Sequence, residues 1–61
     1  MSLPKDPFML LSYINTQLRD NFSSLSELAA SLGADEEEIR STLGKAGFVY
    51  DSGLNRFTTA Q

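Results

Sequence analysis

Apolar residues fall at helical spacing through most of this chain and give way to two short β-prone runs near its end. Phe8, Leu11, Ile14, Leu18 and Phe22 recur every three or four residues. That spacing predicts a helix over 7–22 with one stripe turned to a core. Met9 and Tyr13 fall on nearly the opposite side at about 100° per residue, with Leu10 on a flank. A second helix over 24–32 buries Leu25, Leu28, Ala29 and Leu32, and a third over 35–46 turns Ile39, Leu43 and Ala46 inward.

The ends of these segments carry their own signals. Pro4 and Pro7 disfavour helix at the residues before them, so residues 1–6 read as an extended arm. Asp6 is placed to cap helix 1, with Pro7 at its first position, where the missing N–H costs nothing. Ser24 with Glu27, and Asp35 with Glu38, have capping-box spacing. Gly33 and Gly47 stand where helices 2 and 3 must stop, and glycine accepts the left-handed conformation there.

The tail "FVYDSGLNRFTT" holds Phe48–Tyr50 and Arg56–Thr58 around a polar loop, with Gly53 available for a positive φ. It predicts a β-hairpin over 48–58, with Phe48, Tyr50 and Phe57 folding back on the helices. A lone hairpin is marginal in water, so it must dock to persist. The expected architecture is mainly α: a three-helix, helix-turn-helix-like bundle with a C-terminal β-hairpin, winged-helix-like in element order, as one domain over residues 1–61.

Composition narrows the chemistry. With no cysteine and no histidine, the chain lacks thiolate ligands, disulfides and the commonest general base. The first twenty residues lack the basic start and apolar run of a signal peptide, and no apolar stretch approaches the ~20 residues of a membrane span. A cytoplasmic protein without membrane contact is the expectation. No glycine loop has phosphate-binding spacing, and the carboxylates that can be placed lie on helix first turns, so no enzyme, cofactor or metal is expected.

The run Asp35, Glu36, Glu37, Glu38 opens helix 3, where a DNA reader would present its N-terminal residues to base edges. Carboxylates there would meet phosphates, and the net charge is -3. The structural account is that they complement the helix dipole and cap free amides. The functional one is an acidic surface for a basic protein partner. The five basic residues are scattered: Arg40 can pair with Glu36, Lys45 sits at a helix C-terminus, and only Arg56 with Lys45 could serve a nucleic acid through the wing. Nucleic acid is therefore the disfavoured partner. Met9 and Tyr13 form a second apolar face on helix 1, which either the arm (through Leu3 and Pro4) or the hairpin covers, or which a protein partner or second copy does.

The stretch "LPKDPFMLLSYINTQLRDNFSSLSELAASLG", with "GFVYDSGLNRF" further on, resembles a small bacterial family catalogued as domain of unknown function 4250. The resemblance is specific in the N-terminal half and loose in helix 3. It implies a short cytoplasmic protein of helix-turn-helix-like architecture and no assigned activity. It also singles out Lys5, Asp6, Asn15, Arg19 and Asp20, shared with the family pattern and not needed for the core read above. Their local explanation is that Asp6 caps helix 1 while Asn15 and Arg19, one turn apart, bond each other or the arm. The leading functional expectation is a protein-contact or self-association module, and its rival is a winged helix that meets DNA through the wing.

Overall fold

The order of elements is α1 (Pro7–Asp20), α2 (Leu25–Leu32), α3 (Glu36–Lys45), β1 (Phe48–Asp51) and β2 (Arg56–Thr59), in a computed structural model that describes residues 3–60. Three helices precede a two-stranded antiparallel hairpin, as the pattern predicts, and the likeness to a winged helix is a loose one. Residues 1 and 2 of the expected arm lie outside the described residues.

Each helix begins where a side chain can take its free amides. Asp6 accepts from the Met9 amide at 2.9 Å, with Pro7 in the first turn. Ser24 Oγ accepts from the Glu27 amide at 3.1 Å, and Asp35 from the Glu37 amide at 3.0 Å. Neither expected capping box closes among the described residues. Glu27 takes the Ser23 hydroxyl instead, and Glu38 makes no return bond to the Asp35 amide. Gly33, at φ 66°, ends α2, while Ala34 and Gly33 donate back to the Ala29 and Ala30 carbonyls at 2.9 and 3.3 Å. That pair of bonds satisfies carbonyls the helix leaves open.

The core is Leu10, Ile14 and Leu18 of α1, Leu25, Leu28 and Ala29 of α2, Ile39 and Leu43 of α3, and Phe57 of β2. Burying each large side chain contributes roughly 1.5–3 kcal/mol. Leu11, Tyr13, Phe22, Leu32, Phe48 and Tyr50 pack around it half-buried.

The face of α1 differs from expectation. Leu10, read as a flank, is 3% exposed, whereas Phe8, read as core, is 63% exposed. The row that faces inward is Leu10–Ile14–Leu18, four residues apart. Leu11 and Tyr13 flank it, so Tyr13 leans on the core and is not on an outer face. A spacing of three and four fits two neighbouring rows of one helix, and only docking against α2, α3 and β2 selects between them. Phe8 meets Phe48 edge-on at 6.0 Å between ring centroids.

The hairpin pairs Phe48 with Thr59, Val49 with Thr58, Tyr50 with Phe57 and Asp51 with Arg56. Its turn also corrects the sequence reading. Asn55, not Gly53, takes the positive φ, at 52°. Asp51 Oδ1 accepts from the Gly53 and Leu54 amides at 2.9 and 3.1 Å, which holds the loop so that the left-handed residue falls at its end.

Candidate functional site

Two asparagine side chains, Asn15 and Asn55, tie α1 to the hairpin. Asn15 Nδ2 donates to the Phe57 carbonyl at 3.1 Å, and its Oδ1 accepts from the Phe57 amide at 2.8 Å. A carboxamide has one donor end and one acceptor end, so Asn15 pairs with Phe57 as a neighbouring strand would. Asn55 does the same service at the turn. Its Nδ2 donates to the Leu18 and Phe22 carbonyls at 3.1 and 3.0 Å, and its Oδ1 accepts from Tyr50 Oη at 2.7 Å. Tyr50 Oη in turn accepts from the Leu25 amide at 3.3 Å, a first-turn donor with no partner within its own helix. One chain of bonds thus joins α1, the hairpin and the start of α2.

The α2–α3 corner is tied differently. Glu36 accepts from Ser26 Oγ at 2.9 Å and from Arg40 Nη2 at 2.9 Å, while the Arg40 guanidinium lies 5.5 Å from the Tyr50 ring centroid. The Arg40 hydrogen bond, and after it the Ser26 bond, hold the Glu36 carboxyl below the usual glutamate range. The expected Glu36–Arg40 pair is therefore present.

Asn15 and Arg19, expected to bond each other or the arm, do neither. Asn15 serves Phe57, and Arg19 makes a two-point pair with Asp20 at 2.9 and 3.0 Å. That bond pushes the Arg19 guanidinium further up and holds Asp20 below the usual aspartate range. Asp6 caps α1 as expected.

The remaining candidates divide between two clefts and an open patch. Asn15 and Arg19 line a cleft of about 510 Å³ between α1 and the hairpin, together with Thr16, Leu54 and Arg56. Lys5, Asp35 and Glu38 line another of about 650 Å³, where Leu3 and Pro4 of the arm run beside the α2–α3 turn. Met9 belongs to neither and is 64% exposed. Glu36 is engaged at the corner, while Glu37 and Glu38 are exposed on α3. Met9 and Tyr13 therefore do not share one open face.

Sequence reasoning missed Asn55 and the true partner of Asn15. For Asn55 a signal existed, because asparagine is the commonest non-glycine residue in left-handed turn positions and it directly precedes the second β-prone run. For Asn15 none did, since its partner lies 42 residues away.

No helix among the described residues is long and apolar enough to cross a membrane, and no group of three or more acidic, histidine or cysteine side chains there could hold a metal ion. No curated protein and no solved structure matches the chain. A family model does, and its match over residues 4–57 shows that the chain belongs to the family described as Domain of unknown function (DUF4250).

Proposed function

We propose that this domain works by protein contact, with a second copy of itself as the first partner, and without catalysis or a cofactor. The observation that carries this reading is the start of α1. Phe8 and Met9, adjacent in sequence, leave 63% and 64% of their surface exposed, and Phe8 continues onto Phe48. Large apolar side chains left open in a cluster are what an interface core uses, and methionine and phenylalanine are enriched in such cores. Asp6 and Asp35 cap helices, Asp51 holds the hairpin turn, Glu27 takes the Ser23 hydroxyl, and Asp20 and Glu36 form surface ion pairs, which supports a non-catalytic role.

The rival reading places a nucleic acid against Arg56 on β2. Exposed Glu37 and Glu38 and a net charge of -3 weigh against it. Sedimentation over a concentration series tests the first reading: a rise in mass that Met9→Asp abolishes supports it, and a monomer at millimolar concentration overturns self-association. A gel shift with random duplex DNA, positive at physiological salt and steeply weakened by added salt, would favour the rival.

A further inference from the structure

The cleft between α1 and the hairpin gathers two of the chain's five cations, one on each wall: Arg19 on α1 and Arg56 on β2. Its floor is already spoken for. Asn15 and Asn55 hold backbone groups of the hairpin and of α1, and no buried side-chain nitrogen or oxygen among the described residues lacks a hydrogen-bond partner. Polar groups that can meet a ligand stand at the rim: the exposed Thr16 hydroxyl one turn before Arg19, and the guanidinium of Arg56. Arg56 makes no ion pair among the described residues although Asp51 is its cross-strand partner, Asp51 Oδ1 being taken by the Gly53 and Leu54 amides. Arg19 itself is 74% exposed and tied only to its sequence neighbour Asp20. A surface pair of that kind is worth little, so an incoming carboxylate can replace Asp20 at slight cost. Leu54 adds an apolar contact, 58% exposed beside the two arginines.

We infer that this cleft docks an acidic peptide segment of a partner protein. Two carboxylates of the segment meet Arg19 and Arg56, and an aliphatic side chain between them lies on Leu54. Guanidinium groups recognise carboxylates through paired, planar hydrogen bonds, which fits two arginines on facing walls. Cations at the rim above a satisfied floor suit an extended chain lying across the cleft better than a small molecule enclosed within it. The inference rests on the protein-contact reading but uses a different surface from Phe8 and Met9.

The test is a two-dimensional 15N NMR titration of the full chain with the peptide acetyl-Glu-Glu-Leu-Glu-Glu-amide. The control replaces its glutamates with glutamines. Expected are shifts centred on Thr16, Arg19, Leu54 and Arg56, at least fivefold weaker binding for Arg56→Gln and for Arg19→Gln, about threefold weaker binding for Leu54→Ser, and no response to the control. Thermal melts of the three variants check that each remains folded. Arg19→Gln, at a side chain open to solvent, keeps the experiment decisive should a hairpin variant unfold. Absent shifts at millimolar peptide, equal affinity for the glutamine control, or random duplex DNA shifting the same residues more tightly than the peptide would each overturn the inference. Failure of self-association by sedimentation leaves these signals untouched, so the two readings fail separately.

Discussion

The seam between α1 and the hairpin and the corner between α2 and α3 are both held by polar side chains, yet they bear on the fold differently. At the seam, Asn15 and Asn55 bond backbone groups of part-buried segments that are distant in sequence. At the corner, Glu36 bonds Ser26 and Arg40 at an exposed surface, and the caps Ser24 and Asp35 serve amides of their own helices. When a surface pair is broken, water takes over. A part-buried amide or carbonyl that loses its partner is left unsatisfied, and that costs more than the bond contributes when made. The difference lies in where the partner sits, not in the number of bonds.

The largest loss of stability is expected at Asn55. Asn55→Ala removes two carbonyl contacts and the acceptor for Tyr50, and it places a poor residue at φ 52°. A loss of about 3 kcal/mol is expected in urea unfolding. A domain of this length has roughly 3–9 kcal/mol in all, so the loss is a third or more of its stability, and a wild type at the low end of that range would leave the variant partly unfolded at room temperature. A loss below about 1 kcal/mol would place the seam on the same footing as the corner.

Asn15→Ala should cost about 2 kcal/mol, with amide hydrogen exchange at Phe57 accelerating more than at Val49. Asn15→Asp keeps the acceptor for the Phe57 amide and loses the donor to its carbonyl, so it should fall between alanine and wild type. Ser24→Ala, on the corner side, should cost about 1 kcal/mol and lower the melting temperature by roughly 4–8 °C.

The smallest effect is expected at Glu36, and acidity reveals it. Its carboxyl is held below the usual range when folded, so its contribution is present at neutral pH and disappears as pH falls through that lowered folded-state value. Melting temperature followed through the acid range should therefore drop less steeply for Glu36→Gln than for wild type. Identical slopes would mean that the Ser26 and Arg40 bonds do not couple to folding.

Much of the fold was legible in the residues because its signals are local. Asp6 before Pro7, Ser24 ahead of Leu25, Gly33 after Leu32 and the aromatic hairpin strands each act within a few residues of themselves, and each appears in the structure as expected. The candidate surfaces were legible only in pieces. Met9, which the arm or the hairpin was expected to cover unless a partner does, is exposed, Tyr13 leans on the core, and Arg19 shares a cleft with Arg56 only because the hairpin docks beside α1.

The chain alone decided where helices start and stop and which segments are amphipathic, since capping, proline geometry and periodicity depend on neighbours within about one turn. Tertiary structure decided which row of α1 faces inward, that Asn15 stands in for a missing strand, and that Asn55 ties the turn to the Leu18 and Phe22 carbonyls. The row is chosen by packing against other elements, and the partners of the two asparagines lie 33 to 42 residues away. A side chain of one donor and one acceptor satisfies water and backbone alike until docking removes the water.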